Sequence, residues 1–319
     1  MGSDGMIQSS DNGSTPVEPL VCTITLNWNT KMDTAECMGS ILKLNYGNIH
    51  HFIVDNGSED GSIPYLEERF GDRTTIIRNE ENLGYAKGFN VGIEAAMRKN
   101  PKYLLIHNSD IIIDREAVRE LVNTAETDDA IGFVTGKVYF YDRPEILQTV
   151  GKIDRTAFAS GSLSPNIGTH ERDTGQYDTV KDFDFIEDFF MLVRSEVIRR
   201  AGPYDPDFFL MAEIEDWCVR VRRNGFRIVF TPEAKIWHKG SISSGGRGYN
   251  PMIKYYLTKN RILFMRKNYS GKVLERFMFR TFTIEFLKEI LPYIILLKFA
   301  VVAAILRGKA SGLKWFVSH

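Results

Sequence analysis

The stretch YLLIHNSD at residues 103–110 decides the fold of this chain, because an apolar run passes directly into three polar residues. Tyr103–His107 has the length and composition of a buried strand. Asn108–Asp110 follows without a turn and places a carboxylate at the carboxyl end of that strand. Ligands of open α/β sheets bind beyond the carboxyl ends of the strands. The stretch therefore predicts a buried sheet with a polar site at its edge.

Upstream of this strand, apolar runs alternate with helical patterns. LVCTITLN at 20–27 and HFIV at 51–54 are apolar and β-branched, and Thr75–Arg78 is expected to form a shorter strand. Apolar residues recur at helical spacing over Thr34–Leu44 and Gly84–Asn100. Strands that alternate with helices are typical of a parallel α/β sheet.

Downstream, the pattern is less regular. Strands are expected over Ala130–Tyr141 and Arg227–Thr231, and a helix over Glu213–Asn224 that ends at a glycine. Between them, Thr156–Lys181 is rich in Gly, Ser, Asp and Thr and is expected to form a long loop, a kind of segment that often acts as a lid. A second Gly- and Ser-rich segment, Gly240–Gly248, follows the last predicted strand.

Composition argues against a disulfide-stabilised scaffold and against a signal peptide at the N-terminus. The 319 residues are 43% hydrophobic and 25% charged, which is ordinary globular usage. Three cysteines cannot form a disulfide framework and suit a reducing cytoplasm. Residues 1–19 are polar, lack the apolar core of a signal peptide, and are expected to be disordered or derived from an expression sequence.

Charge is distributed unevenly along the chain. Residues 251–319 carry 13 Lys and Arg against 3 Glu, a net of +10, whereas the preceding 250 residues carry a net of −11. This basic tail is also apolar over Ile290–Leu306, but Pro292 and Lys298 interrupt that run. A spanning helix needs about 20 apolar residues, so an interfacial helix on an anionic membrane fits better than a spanning one. A core helix packed on the body remains the alternative, and no nucleic-acid partner is expected.

Candidate ligand-binding residues lie where the predicted strands end. Asp55 follows the second strand and could accept hydrogen bonds from a nucleoside, and Asn27 ends the first strand at the same edge. In NLGYAKGFN, Lys87 adds a positive charge at a helix N-terminus that favours anions, and Gly84 permits close backbone approach.

Asp110 is the candidate metal ligand. A charge at the end of a buried strand is costly without a partner, and a divalent cation bound by oxygen ligands is such a partner. Asn108 makes the motif a weakened acid-x-acid pair. His238, which ends the strand-like segment after Pro232, is a candidate additional ligand.

Three acids at the start of the helix in FFLMAEIEDWCVR are candidate general bases. Helical spacing puts Glu213, Asp216 and Trp217 on one face, where the indole could lie under a sugar. Glu215 is expected to point elsewhere, toward solvent or as a helix cap. Glu213 is the first candidate and Asp216 the second. Glu187 and Asp188 remain the alternative should the base lie outside this helix.

Taken together, these motifs resemble the inverting family 2 glycosyltransferases of the GT-A fold, and within them the rhamnosyltransferase-like members. The resemblance runs from about residue 21 to 312 and rests on the order and spacing of six strings. These strings are VDNGSEDGS, NLGYAKGFN, LIHNSD, AGPYDPDFF, EIEDWCVRVRRNGFRIVFTPEAKIWHKG and YYLTKNRILFMRKN.

The resemblance implies a Rossmann-like mixed sheet flanked by helices, with a C-terminal helical, basic tail. It further implies transfer, with inversion, from a nucleotide-diphospho-sugar, such as L-rhamnose from a dTDP donor, to a glycan or polyprenyl-linked saccharide. Asp55 would contact the nucleoside, and Asp110 with His238 would hold Mg²⁺ or Mn²⁺ at the diphosphate. The base would come from the acidic cluster, although Ile214 stands where family members commonly carry an acid.

The implied organisation is a catalytic domain over 20–250, with a nucleotide-binding half (20–112) and an acceptor-binding half (113–250). Residues 251–319 would form the membrane-associating extension of a cytoplasmic protein, peripheral on the inner face of the cell membrane. A nucleotidyltransferase is one alternative, but the Gly-rich basic loop it needs near the first strand is missing. A catalytically degenerate glycan-binding protein is the other, favoured by Asn108 and Ile214.

Overall fold

The computed structural model describes residues 18–152, 166–240 and 250–318. Its strands are β1 (Val21–Asn27), β2 (Ile49–Asn56), β3 (Thr74–Asn79), β4 (Tyr103–His107), β5 (Ile111–Ile113), β6 (Ile131–Phe140), β7 (Arg143–Thr149), β8 (Lys181–Asp182), β9 (Phe190–Arg194) and β10 (Arg227–His238). Its helices are α1 (Lys31–Ile41), α2 (Ser62–Phe70), α3 (Tyr85–Met97), α4 (Ala117–Glu126), α5 (Ser195–Ala201), α6 (Glu213–Arg223), α7 (Pro251–Asn268), α8 (Gly271–Phe282), α9 (Ile284–Ile295) and α10 (Phe299–Ser318).

These strands form one mixed sheet in the order β3-β2-β1-β4-β9-β6-β10-β5, with β7 paired to β6 and β8 to β10. The first four strands of that order are parallel, and β9 is antiparallel to both of its neighbours. The predicted α/β class is therefore confirmed. Because β1, β2 and β4 are parallel, their carboxyl ends meet at one edge of the sheet.

Both faces of the sheet are covered. Along β4, Leu104 and Ile106 belong to one apolar core, whereas Tyr103 and Leu105 belong to the core on the opposite face. Successive side chains of a strand point to opposite faces, so a strand buried on both sides is apolar at every position. This explains why β4 is a continuous apolar run, and why a charge at its end needs a partner.

The last strand of the sheet brings His238 to the site. β10 is longer than the predicted Arg227–Thr231 segment and continues to His238 through an irregularity after Phe230. Its carboxyl end pairs antiparallel with β5, with His238 opposite Ile111. Because β5 begins immediately after Asp110, this pairing places His238 beside that carboxylate.

Predicted segments in the irregular half are only partly described. Residues 156–165 of the predicted loop, residues 241–248 of the second Gly- and Ser-rich segment, and residues 1–17 of the predicted disordered N-terminus lie outside the described residues. Residues 166–180 form no helix or named strand and bridge to β7 through the pair Ile146 and Arg172. The described part of that loop is thus irregular, as expected.

The C-terminal helices pack on the catalytic body through α7. Asn268 donates from Nδ2 to Asp216 Oδ1 at 2.8 Å, and Asn260 donates to the carbonyls of Leu210 and Met211 at 2.8 and 2.9 Å. Helix α10 in turn lies close against α7 at Gly308, where a Cβ would meet the Tyr255 carbonyl at 2.7 Å. The extension is therefore joined to the region that carries the candidate base.

The apolar run of the tail is divided between two helices. Helix α9 contains Pro292 and ends at Ile295, and α10 begins only at Phe299, after Leu297 with φ +54°. Among the described residues, no helix has the length and apolar character needed to cross a membrane. One face of α9 is nonetheless open, since Leu287, Leu291 and Ile295 are 63%, 54% and 70% exposed.

Candidate active site

A cavity of about 710 Å³ opens at the edge where β1 and β4 end. Its walls come from the residues after these strands, from the start of α6, and from the C-terminal helices α7, α8, α9 and α10. Asp110, Asp188, Glu213 and Glu215 are among the lining residues. The edge predicted from the ends of the strands is thus the place where the cavity lies.

Asp110 and His238 form the first group in this region. Asp110 Oδ1 lies 3.2 Å from His238 Nε2, and the other ring nitrogen, Nδ1, lies 2.8 Å from Gln148 Oε1. The imidazole is buried and stacks on Phe189 with ring centroids 4.3 Å apart. Since an amide oxygen only accepts, Nδ1 donates to Gln148, and Nε2 is the nitrogen that faces Asp110.

Electrostatics keep Asp110 ionised. Burial opposes the charge, but the hydrogen bond and charge of His238, together with the more distant Lys239, hold the pKa of Asp110 below its usual value. With Nδ1–H committed to Gln148, either a proton or a cation must lie between Nε2 and the carboxylate. A carboxylate and an oriented imidazole are a fitting donor pair for a divalent ion, and Gln148 supplies the outer partner that fixes the tautomer.

Two further carboxyl groups have no such cationic partner in the part of the chain that the structure describes. Glu213 is buried, and its Oε2 has no hydrogen-bond partner among the described residues. Asp188 accepts a hydrogen bond from the Tyr204 hydroxyl at 3.1 Å. Burial and then the charge of Asp188 raise the pKa of Glu213 well above its usual value, while burial and then Glu187 raise the pKa of Asp188 to about 7. The surroundings of this pair therefore favour the protonated form of a carboxyl group.

A second pair of acids shares one lysine. Lys152 Nζ lies 2.6 Å from Glu187 Oε1 and 3.3 Å from Glu215 Oε1, and all three side chains are largely buried. Burial opposes the charge of Lys152, yet Glu187 and Glu215 raise its pKa above the usual value. Because Lys152 forms ion pairs with both of these carboxylates, Glu213 and Asp188 are the acids of the cluster that have no cationic partner within the described residues.

The structure corrects the face assignment on α6. Glu215 was expected to point toward solvent, but it is buried, lines the cavity and binds Lys152. Asp216 instead faces away from the cavity, where it accepts hydrogen bonds from Arg220 Nε at 2.7 Å and Asn268. Trp217 is fully buried and donates to the Gly202 carbonyl, so it cannot lie under a sugar.

This reorientation has a backbone cause. Met211 and Ala212, which directly precede α6, have φ values of +72° and +71°. Such a conformation in non-glycine residues costs on the order of 1–3 kcal/mol each and persists only when the surroundings hold it. Two hydrogen bonds from Asn260 hold the carbonyls of Leu210 and Met211 here. Sequence spacing on a helix fixes the angles between its side chains, but it does not fix which face of the helix is turned toward the cavity. The strained turn before α6 sets that orientation.

The predicted nucleotide-binding residues occupy different positions. Asn108 lines the cavity and accepts from the Tyr85 hydroxyl at 3.0 Å. Asn27 and Asp55 are buried behind the wall, where Asn27 Nδ2 donates to Asp55 Oδ1 at 2.7 Å. The second carboxylate oxygen of Asp55 accepts from the backbone N–H of Ser58 at 3.0 Å. The pair shapes the loop after β2 and does not line the cavity.

The helix N-terminus at Gly84 is partly covered by protein. Gly84 has φ +82°, and a Cβ there would meet the Phe209 carbonyl oxygen at 2.5 Å. That same carbonyl accepts the backbone N–H of Tyr85 at 2.6 Å. The close approach that Gly84 permits is therefore made by the segment before α6. Lys87 is exposed on the first turn of α3 and does not line the cavity.

Several residues of the cavity were missed from the sequence. Lys152 lies in no recognisable sequence motif, because its partners Glu187 and Glu215 are distant from it in the sequence. Trp28, directly after β1, is 40% exposed and lines the cavity, and the aromatic in LNWNT could have indicated a stacking surface. Arg261 and Lys309 line the far end, and nothing in the sequence links them.

Comparison with known proteins assigns the chain to a family. Residues 21–195 match the family described as Glycosyl transferase family 2. A poly-β-1,6-N-acetyl-D-glucosamine synthase of Staphylococcus aureus is 25% identical over 226 residues, which are 70% of this chain and 51% of the relative. The low-salt glycan biosynthesis hexosyltransferase Agl10 of Haloferax volcanii is 24% identical over 73% of this chain and 72% of its own length.

The fold has solved counterparts. A mannosyltransferase of Pyrobaculum calidifontis, solved with GDP-Man and Mn²⁺, superimposes with a TM-score of 0.56 at 15% identity. The alignment covers 95% of this chain and 76% of that protein. The chain spans about half the length of the Staphylococcus aureus synthases that it matches. At this identity the structural likeness concerns the fold.

Proposed function

This chain belongs to glycosyl transferase family 2, and from that premise we propose that it transfers a sugar from a nucleotide-diphospho-sugar donor to an acceptor hydroxyl. The observation that carries the proposal is the contrast within one cavity. Asp110 stays ionised beside the oriented imidazole of His238, an arrangement that can hold a cation, whereas Glu213 and Asp188 form a carboxyl pair with raised pKa values that can exchange a proton. Transfer from a nucleotide sugar needs both a cation at the diphosphate and a group that takes the proton of the acceptor hydroxyl.

The donor diphosphate is proposed to lie near Asp110 and His238, the residues that would hold a divalent metal. Such a metal would neutralise the charge that develops on the leaving group. Among the described residues, no three His, Cys, Asp or Glu side chains cluster closely enough to hold a metal. The carboxylate of Asp110 and the imidazole of His238 are therefore the two protein groups that would hold it. The mixed oxygen and nitrogen donors favour Mn²⁺ over Mg²⁺.

The base is proposed to be Glu213 acting together with Asp188. The acceptor oxygen attacks the anomeric carbon while the bond from that carbon to the diphosphate oxygen breaks, which inverts the configuration. The bonding electrons leave with the nucleoside diphosphate, and the acceptor proton passes to the carboxyl pair. A base works best when its pKa lies near the working pH, and burial has moved Asp188 to that range.

The nucleoside is proposed to stack on Trp28, which offers an exposed ring beside β1. Asn27 and Asp55 would act indirectly, by holding the loop that follows β2. This keeps residues 20–112 as the nucleotide-binding half and 113–250 as the acceptor-binding half. L-Rhamnose from dTDP remains the proposed donor on the resemblance of the motifs, and the test therefore includes N-acetylglucosamine and hexose donors.

The acceptor is proposed to be a glycan or a polyprenyl-linked saccharide at a membrane surface. The open face of α9, with Leu287, Leu291 and Ile295 exposed, lies in the segment whose net charge is +10. Apolar side chains beside basic residues bind anionic interfaces, each cation contributing about 1 kcal/mol near the surface. We place this contact on the inner face of the cell membrane.

Donor binding tests the proposal first. Thermal shifts are measured with dTDP, UDP and GDP, with and without Mn²⁺, on the wild type and on Asp110→Asn. At 100 times the dissociation constant, a ligand raises stability by about 2.7 kcal/mol. The wild type is expected to show a metal-dependent shift that Asp110→Asn loses. An unchanged metal dependence in the variant contradicts the assignment. Release of free sugar from dTDP-rhamnose, UDP-GlcNAc and GDP-mannose then identifies the donor.

Vesicle co-sedimentation tests the membrane contact. Binding to anionic vesicles at low salt is expected to weaken as salt rises, because the charge term is screened. Leu291→Asp should reduce binding without changing the nucleotide shift. Equal binding of wild type and variant, or none by either, contradicts the contact at α9.

A further inference from the structure

The cavity extends well beyond the carboxylates into the C-terminal helices. Its far end, here called the C-terminal compartment, is lined by Lys254, Arg261, Thr281, Glu289 and Lys309. These residues come from α7, α8, α9 and α10. The compartment is continuous with the space around Glu213, so one ligand can occupy both ends.

The two ends of the cavity carry opposite charge. Around the strands, six carboxyl groups line the wall with one cation, Lys152; the six are Asp33, Asp110, Glu187, Asp188, Glu213 and Glu215. In the C-terminal compartment, three cations face one carboxylate, Glu289. A cavity divided in this way suits a ligand with an uncharged group at the carboxylates and an anionic group at the helices.

Arg261 has an unused hydrogen-bond donor in the compartment. Its Nε is buried and has no hydrogen-bond partner among the described residues. Burial lowers the pKa of Arg261, although Glu289 and Glu285 act in the opposite direction. An arginine in a protein cannot give up its proton, so a buried guanidinium without full compensation is costly. An incoming anion would supply the missing acceptor.

The other two cations differ in their present partners. Lys309 is largely buried, pairs with Glu289 Oε2 at 3.0 Å and donates to the Thr281 carbonyl at 3.0 Å. Lys254 is half-buried, and its Nζ lies 5.3 Å from the Tyr293 ring centroid. No carboxylate within the described part of the chain forms an ion pair with Lys254. Arg261 and Lys254 are thus the cations available to a ligand.

We propose that the C-terminal compartment binds a phosphate or diphosphate group carried by the acceptor, which rests on the proposed function. The acceptor hydroxyl then lies at Glu213 and Asp188, and the phosphate lies against Arg261 and Lys254. The open apolar face of α9 belongs to the same group of helices and would receive the lipid that carries the phosphate. The donor diphosphate is the other source of a phosphate group for this compartment. Its proposed site lies at Asp110, outside the compartment, and this distinguishes it from the acceptor phosphate.

The experiment compares two ligands on matched variants. Decyl phosphate below its micellar concentration is the acceptor probe, decanol is its uncharged control, and dTDP, UDP and GDP with Mn²⁺ report the donor site. The variants are Arg261→Gln, Lys254→Gln and the control Arg276→Gln, which removes an exposed cation from α8. Titration calorimetry gives affinities, and circular dichroism confirms folding.

Arg261→Gln is expected to weaken decyl phosphate binding by about 10- to 100-fold, the loss typical of one charge-assisted hydrogen bond. Lys254→Gln should weaken it by a smaller factor, and Arg276→Gln should not. Metal-dependent nucleotide affinity should be the same in all four proteins. Should Arg261→Gln fail to fold, Lys254→Gln on the exposed side of the compartment gives the same comparison.

Three results would overturn the proposal. Decyl phosphate could bind no better than decanol, or equally well to the wild type, Arg261→Gln and Lys254→Gln. Alternatively, Arg261→Gln or Lys254→Gln could lower nucleotide affinity as much as decyl phosphate affinity, which would assign the compartment to the donor diphosphate. Absence of metal-dependent nucleotide binding in the wild type contradicts the proposed function instead, and the decyl phosphate result can still be read.

Discussion

Asp110 and Asp188 are the same residue type on the walls of the same cavity, and their chemistry is opposite. Asp110 lies 3.2 Å from an imidazole, and its pKa is below the usual value. Asp188 has neutral tyrosine hydroxyls as partners and lies near other carboxylates, and burial followed by the charge of Glu187 raises its pKa to about 7. The partner, and not the residue type, decides which acid binds a cation and which binds a proton.

This difference assigns the two halves of the reaction. Groups whose surroundings push their pKa values apart take separate acid and base roles in an active site. In this chain, the sheet supplies the partner of Asp110 through β10, whereas Asp188 meets Glu213 at the start of α6. The following changes test the contrast, from the largest expected effect to the smallest.

Removal of the proton-accepting group should have the largest effect. Glu213→Gln is expected to lower the turnover number by about 10²–10⁴-fold, the usual contribution of a general base. Nucleotide affinity should be unchanged because Asp110 and His238 are intact. Transfer rates and nucleotide affinities are measured side by side.

Two neighbours on the same helix are its controls. Glu215→Gln and Asp216→Asn remove carboxylates that already bind Lys152 or Arg220, so their main loss should be in thermal stability. A loss of turnover confined to Glu215→Gln, with stability unchanged, would contradict the assignment of Glu213.

Loss of the outer partner of His238 should weaken the cation side. Gln148→Leu removes the acceptor that orients the imidazole through Nδ1. Outer partners of metal ligands typically contribute about 10–100-fold in metal affinity. We expect the Mn²⁺ concentration for half-maximal donor binding to rise by that factor. A rise equal for Gln148→Leu and for Gln176→Leu, an exposed glutamine outside the cavity, would exclude a specific effect.

The contributions of Asp188 and Asp110 to the free energy of unfolding should change with pH in opposite directions. Because the folded pKa of Asp188 lies above its ordinary value, its contribution to stability is full at about pH 4 and is lost as pH rises through about 7. Asp110, with a lowered pKa, contributes in the reverse sense and loses its contribution as pH falls. Urea unfolding of wild type and Asp188→Asn between pH 5 and 8 should show a smaller decline in the variant, in which Glu213 is the remaining acid with a raised pKa. A decline of equal size in both proteins would assign it to other groups.

The smallest effect is expected at Lys87. This lysine is exposed and outside the cavity, and surface substitutions usually change stability by less than about 0.5 kcal/mol. Lys87→Ala should therefore change metal-dependent nucleotide affinity by less than about twofold, which corresponds to roughly 0.4 kcal/mol. A larger loss would show that the donor diphosphate reaches the N-terminus of α3 as the sequence motif suggested.

The architecture and the edge that carries the site could be predicted from the sequence. The apolar runs of β1, β2 and β4, each followed by polar residues, predicted a parallel sheet and the position of Asp110 at its edge. Such signals are local, because burial on both faces requires a continuous apolar segment. The motifs around these strands were also sufficient to indicate the family.

The partners of the acids depended on the tertiary structure. Asp110 meets His238 only because β5 pairs with β10, and Glu215 meets Lys152 across 63 residues of sequence. Helical spacing grouped Glu213 with Asp216, but the left-handed turn at Met211 and Ala212 turned Asp216 away from the cavity. A sequence states which groups can ionise, but their pKa values depend on burial and on charges that only the folded chain brings within a few ångströms.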